Sequence, residues 1–188
     1  MTSIATPPAL LTREDIARRV AEMAAAIRRD HGAHAPHLVC VLKGAFVFAA
    51  DLIRALGDPS SVDFMAVSSY GAGTSPGDVR IVMDLERTIE GRSVVIVEDI
   101  VDTGATVTRL RELLGARRPE SLRLAALLSK PSRRTVPVVI DYLGFEIPDV
   151  FVVGYGLDHD ERYRDLPYVA HSPAITSTAN ASFSPRST

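Results

Sequence analysis

The sequence predicts an α/β fold built on a largely parallel, twisted sheet flanked by helices. Short continuous apolar runs such as "HLVCVL" (37–42) and "SLRLAALLS" (121–129) suit strands buried on both faces. They alternate with amphipathic stretches at helical spacing, the pattern of βαβ units. The most apolar strand, "SVVIVED" (93–99), leads into "DTGAT" (102–106), a strand-to-helix turn. Sheets of this kind bind ligands beyond the carboxyl ends of their strands, where this turn lies.

Each element has its own justification. Residues 12–32 read as a helix: Thr12 and Asp15 form a capping pair, Ile16, Val20, Met23 and Ile27 share one face, and Gly32 stops it. Residues 43–57 turn and become a helix, with Phe48, Leu52 and Leu56 spaced by four. "VDFMAVSS" (62–69) is a strand, and "YGAGTSPGD" (70–78) is a loop, too rich in Gly, Ser and Pro for regular structure. "VRIVMDL" (79–85) and residues 93–99 are strands joined by a turn at "EGR". Residues 106–116 form a helix with Val107, Leu110 and Leu114 on one side. "PVVIDYLG" (137–144) is a strand, and "DVFVVGYG" (149–156) is the last one.

Bulk properties narrow the function. The 188 residues suit one domain, spanning 1–170, with a Ser-, Thr-, Ala- and Pro-rich tail at 171–188 expected to be disordered. A net charge of -2 provides no global field for nucleic acid or an anionic membrane. No stretch reaches the roughly 18 apolar residues of a membrane span, and the N-terminus lacks the pattern of a signal peptide. One cysteine, Cys40, excludes a disulfide framework and favours a cytoplasmic setting. No His and Cys cluster has the spacing of a structural zinc site.

The chemistry gathers at 98–106. A turn entering a helix presents unpaired N–H groups and the positive end of the helix dipole. Gly104 permits close approach of an anion, and Thr103 and Thr106 add hydroxyls, so the turn reads as a phosphate cradle. By itself the string also fits a plain capped turn. The adjacent Glu98 and Asp99 would repel a phosphate but suit vicinal hydroxyls or a divalent cation. Because strand side chains alternate faces, both can reach one ligand only where the strand breaks. Together these features fit a ribose 5-phosphate.

"VVIVEDIVDTGATV" resembles the signature that binds 5-phosphoribosyl 1-pyrophosphate (PRPP) in type I phosphoribosyltransferases. From "LVCVLKGAFVFAADL" to "YGLDHDERYRDLPYV" the chain is similar to their 6-oxopurine branch, the hypoxanthine-guanine phosphoribosyltransferases. The resemblance implies the type I fold, with a small hood and a flexible catalytic loop carrying Ser69 and Tyr70. Glu98 and Asp99 would hold the ribose hydroxyls, directly or through magnesium. Asp102, Thr103, Gly104, Ala105 and Thr106 would bind the 5-phosphate, and Asp102 would be the general base at purine N7. Lys43, Gly44 and Arg164 would bind pyrophosphate, and relatives carry a cis peptide at the position of Leu42-Lys43. Lys130 would donate to purine O6, Phe151 would stack on the base, and the Val152 backbone would read its edge. Asp158 would lie near the purine and a second magnesium.

Bland readings stand beside several of these. Asp102 also suits a turn cap, Lys43 a surface lysine, Phe151 core packing and 70–78 a long hairpin. The implied reaction makes IMP or GMP from PRPP and hypoxanthine or guanine, releasing pyrophosphate, in a homodimer or homotetramer. Alternatives are a transferase acting on xanthine or another base, and a nucleotide-sensing regulator on the same fold. Lys130 opposes adenine. The scattered basic pairs, which include "SRR" at 132–134, lack the aromatic interleaving of an RNA-binding face.

Overall fold

The computed structural model describes residues 7–32, 34–57, 60–69 and 79–171. Among them the chain order is β1 (Ala9–Leu11), α1 (Arg13–His31), β2 (His37–Leu42), α2 (Phe46–Leu56), β3 (Val62–Ser69), β4 (Val79–Met83) and β5 (Ser93–Val101). Then follow α3 (Ala105–Gly115), β6 (Ser121–Ser129), a 3-10 turn at Pro131–Arg133, β7 (Tyr142–Glu146), β8 (Val152–Val153) and β9 (Val169–His171).

The main sheet has the order β4-β3-β2-β5-β6-β7. Every pairing in it is parallel except that of the edge strand β4, which runs antiparallel to β3. Successive residues of the central strands feed two cores. Leu38, Cys40, Val95, Val97, Ala125 and Leu127 pack with α1 and α2 on one face. Val39, Val41, Val94, Ile96, Leu124 and Ala126 pack with α3 on the other. The predicted helix faces are those buried: Ile16, Val20, Met23 and Ile27 in α1, Phe48, Leu52 and Leu56 in α2, and Val107, Leu110 and Leu114 in α3. Thr12 caps α1 by accepting from the Asp15 N–H at 3.1 Å, and Gly32 ends it at φ 58°.

The structure corrects three strand predictions. β4 stops at Met83, two residues short of the expected end, and a connecting segment leads to the turn at Gly91. The strand expected at 137–144 begins only at Tyr142. Val138 and Ile140 lean on the α3-side core while Val139 is 67% exposed, so the alternation is real but belongs to an extended connection before β7. The strand expected at 149–156 shrinks to Val152–Val153, because Gly154, Tyr155 and Gly156 all take positive φ and turn the chain. It is also not the last strand. β8 pairs with β9, and β9 with β1, in a separate antiparallel three-stranded sheet. This sheet is the hood, built from both ends of the described chain. The tail from 172 and the loop 70–78 lie outside the described residues.

Candidate active site

β2 has β3 on one side and β5 on the other, so the sheet's connections reverse direction there. Such a switch point opens a crevice between the carboxyl ends of neighbouring strands. A cavity of about 280 Å³ occupies it. Its lining comes from the end of β2 (Leu42, Lys43, Gly44), the end of β5 (Glu98 to Val101) and the turn into α3 (Asp102, Thr103, Gly104, Thr106). The Leu42-Lys43 peptide is cis.

Glu98 and Asp99 both reach this cavity. No break in the strand delivers them, contrary to expectation: β5 continues to Val101 with no register shift against β6. Glu98 is 5% exposed, and its Oε1 is buried without a hydrogen-bond partner. Burial first, and the charge of Asp99 second, hold its carboxyl well above the usual range. Burial likewise pushes Asp99 up to about 6, opposed by the Ile100 N–H and the positive charge of Arg164. Two crowded carboxylates, with Glu98 Oε1 unpartnered and Asp99 Oδ1 accepting from the Ile100 N–H at 2.7 Å, favour a ligand that brings hydroxyl donors or a hard cation. Among the described residues no three Asp, Glu, His or Cys side chains form a metal-sized cluster, so these two do not share such a group with Asp158.

The turn expected to cradle a phosphate pivots at Gly104, whose φ of 92° puts it in the left-handed region as the N-cap of α3. A side chain there would meet Val138 and the Val136 carbonyl. Thr103 is pinned from outside, its carbonyl accepting from the Thr135 and Val136 N–H groups at 3.0 and 3.3 Å. Thr106 lines the cavity, while Ala105 opens α3 beside it. Thr106 and Val107 of the first turn of α3 line the cavity, while the Ala105 N–H donates to Thr103 Oγ1 at 3.4 Å, so a helix N-terminus, the kind of end that suits an anion, borders the cavity.

The other predicted residues sit around this cavity and not in its lining. Lys130, 8% exposed, follows β6, and its N–H donates to the Val101 carbonyl at 3.0 Å. Its Nζ lies 3.8 Å from Asp149 Oδ1. Phe151 meets His159 edge-on at 5.4 Å, so the imidazole supplies an aromatic neighbour to the expected stacking ring. Val152 is buried in β8. Asp158 pairs with Arg164 Nη2 at 2.8 Å, and Arg164 Nη1 donates to the Gly156 carbonyl at 2.8 Å. Arg164 also borders a second cavity, of about 940 Å³, between α1, α2 and residues 164–167. Glu161 bridges Lys43 at 3.2 Å and Arg164 at 3.3 Å. Ser69 ends β3, and Tyr70 lies outside the described residues.

Sequence reasoning missed Arg133, Arg134 and Asp149. Arg133 Nε lies 2.8 Å from Asp102 Oδ1, an ion-pair contact off the hydrogen-bond axis, so that oxygen accepts no hydrogen bond. Arg134 donates to the Asp102 carbonyl and to Ser129 Oγ, both at 2.8 Å. The "SRR" triplet read as one of several surface basic pairs. Its position just after a strand end was the available signal.

Comparison with known proteins places this site in context. Residues 9–160 match the model of the phosphoribosyl transferase domain family. A hypoxanthine-guanine phosphoribosyltransferase of Mycobacterium avium is 53% identical over 167 residues, covering 85% of this chain and 82% of that one. A crystal structure of a Bacillus anthracis hypoxanthine-guanine phosphoribosyltransferase, with a HEPES molecule in its active site, superposes with a TM-score of 0.86. It is 41% identical, over 89% of this chain and 99% of that one. A Trypanosoma cruzi hypoxanthine phosphoribosyl transferase, studied for the role of its C-terminal region in oligomeric state and activity, gives a TM-score of 0.86. It is 40% identical, over 94% and 97% of the two chains.

Proposed function

Because the chain belongs to the phosphoribosyl transferase family, in its hypoxanthine-guanine branch, we propose residue roles for the reaction of that branch on this site. The protein is a purine-salvage enzyme that transfers the phosphoribosyl group of PRPP to hypoxanthine or guanine. The observation that carries the residue assignment is the cavity at the switch point, which joins two adjacent buried carboxylates, one with an unpartnered oxygen, to a helix N-terminus.

The 5-phosphate sits against the first turn of α3, on the N–H groups of 103–106 and the hydroxyls of Thr103 and Thr106. Glu98 and Asp99 accept from the ribose hydroxyls. The leaving pyrophosphate meets the backbone at Lys43 and Gly44, and the Arg164 guanidinium, which can hold two phosphate oxygens at once. The purine stacks on Phe151 with its edge on the Val152 backbone and O6 on Lys130. The C1–pyrophosphate bond breaks, N9 bonds to C1, and Asp102 takes the N7 proton. A lid carrying Ser69 and Tyr70 excludes water from the reacting centre.

Magnesium fits the donor set, with Asp99 and Glu98 on one ion and Asp158 beside a second, and when bound it supplies positive charge to the ribose and pyrophosphate oxygens. We further infer a homodimer or homotetramer working in the cytoplasm. The buried Cys40, whose thiol burial pushes up to about 12, suits a reducing compartment. No helix of the described residues is long and apolar enough to cross a membrane.

The test is nucleotide formation from PRPP and magnesium with hypoxanthine, guanine, xanthine or adenine, beside an Asp102→Asn variant. Turnover of hypoxanthine or guanine, reduced by about 100-fold in the variant, is the expected result. Undiminished turnover in Asp102→Asn would remove Asp102 from the base role. Turnover of xanthine or adenine alone would overturn the purine assignment.

A further inference from the structure

The roles above put Lys130 at purine O6 and Asp102 at N7, and the present inference rests on that reading. O6 and N7 are neighbours on one edge of the base. An enzyme reading both needs a donor and an acceptor held at matching spacing. Lys130 and Asp102 come from different segments and do not touch each other directly.

They are joined by two residues to which no role has been given. Lys130 Nζ lies 3.8 Å from Asp149 Oδ1. Asp149 Oδ2 lies 3.5 Å from Arg133 Nη1. Arg133 Nε lies 2.8 Å from Asp102 Oδ1. The result is a line of alternating charge with a substrate-reading group at each end. A guanidinium held at two of its nitrogens has its plane fixed, which an ammonium on a flexible stem would not.

The line also divides the Asp102 carboxylate. Oδ1 is fully buried, although the side chain as a whole is 41% exposed. The accessible oxygen of the carboxyl is therefore Oδ2. Its surroundings hold Arg133 in place: its N–H donates to the Lys130 carbonyl at 3.1 Å, the Arg134 guanidinium ties the Asp102 carbonyl to Ser129 Oγ, and the Thr135 and Val136 N–H groups donate to the Thr103 carbonyl.

We propose that Arg133, braced through Asp149 to Lys130, is a positioning residue for the purine step. It covers Oδ1 of Asp102, leaves Oδ2 to receive the N7 proton, and sets the spacing of acceptor and donor to a 6-oxopurine edge.

The test is steady-state kinetics with hypoxanthine and guanine on Arg133→Ala, Arg133→Lys, Asp149→Asn, Asp102→Asn and the Arg133→Ala/Asp102→Asn double variant. PRPP binding by calorimetry with magnesium, and thermal denaturation, run alongside. Arg133→Ala should lose about tenfold in kcat, with PRPP affinity and thermal midpoint nearly unchanged. Arg133→Lys should recover part of that loss, and Asp149→Asn should raise KM for the purine more than for PRPP. In the Asp102→Asn background Arg133→Ala should cost nothing further, because its effect acts through the carboxylate. An unchanged kcat in Arg133→Ala overturns the proposal. So does an equal loss of PRPP binding, or a full additional loss in the double variant, either of which marks a structural role. If Asp102→Asn itself keeps full activity, the assignment of the base fails and this inference falls with it. If Asp102→Asn is impaired and Arg133→Ala is not, only this inference fails.

Discussion

The backbone of Gly44 is pressed against the carboxylate of Asp99, so that a Cβ at position 44 would overlap Asp99 Oδ2. The end of β2 and the end of β5 thus meet with no side chain between them. Gly156 comes in from the other side, and a Cβ there would strike the Gly44 carbonyl. The loop after β2, the Asp99 carboxylate and the turn after β8 are therefore packed as one unit.

Gly44→Ala should for that reason disable the enzyme without unfolding it. The new methyl must displace Asp99 or the loop, and a misplacement of about 1 Å costs roughly 100-fold in rate. The check is kcat/KM for PRPP together with circular dichroism. An alanine variant within about twofold of the parent would show that the loop moves freely from Asp99.

Asp99 should trade stability for function. Its carboxyl is pushed up to about 6 by burial, from 3.8 in the unfolded chain. Between those values the folded state holds a proton that the unfolded state releases. Stability from this group is present below about pH 4 and is lost as pH rises through about 6. Asp99→Asn should therefore stabilise the ligand-free protein at pH 7.5, by on the order of 2 kcal/mol, and change little at pH 4. The same variant should bind PRPP and magnesium poorly. Melting curves at the two pH values, with and without ligand, decide it.

His37 should give the opposite slope. It is 1% exposed at the start of β2, with Nδ1 at 2.9 Å from Ser61 Oγ and Nε2 unpartnered. Burial, and then the charge of Arg92, depress its basicity below the usual 6.5. The unfolded chain therefore takes up a proton below that value sooner than the folded one does. Stability from His37 is present at neutral pH and lost as pH falls below about 6.5. His37→Asn should flatten the dependence of the urea midpoint on pH between 7.5 and 5.5, whatever it does to the midpoint itself.

Lys130 should act on the purine and not on PRPP. Lys130→Ala should cut kcat/KM for hypoxanthine by roughly 100-fold, because a site lacking its donor leaves O6 unpaired. The KM for PRPP should stay near its parent value. Equal losses for both substrates would instead assign Lys130 to packing beneath β6.

Much of this was legible in the chain. Periodicity placed α1, α2 and α3 and the faces they bury, because helix burial repeats every 3.6 residues whatever the partner. The continuous apolar runs marked β2, β5 and β6, because a strand covered on both faces leaves no polar position. Local chemistry also exposed the glycine turn and the acidic pair that line the cavity, since strand end, glycine, hydroxyls and helix start are contiguous in 98–106.

Other features had no local signature. The hood joins Ala9–Leu11 to Val169–His171, segments too short to show alternation and defined only by pairing across the chain. Residues 137–140 alternate as a strand does, yet the sheet's edge takes up only Tyr142 onward. Glu98 and Asp99 share one cavity without a strand break, because the switch point opens beside both. Arg133 and Asp149 become more than surface charges only when Lys130 and Asp102 are placed at either end of them. The sequence by itself determined the three helices, the buried strands β2, β5 and β6 and the glycine turn into α3, since these follow from neighbours along the chain. Tertiary structure alone decided which charges face one another, because ion pairs depend on distances in space that spacing along the chain does not encode.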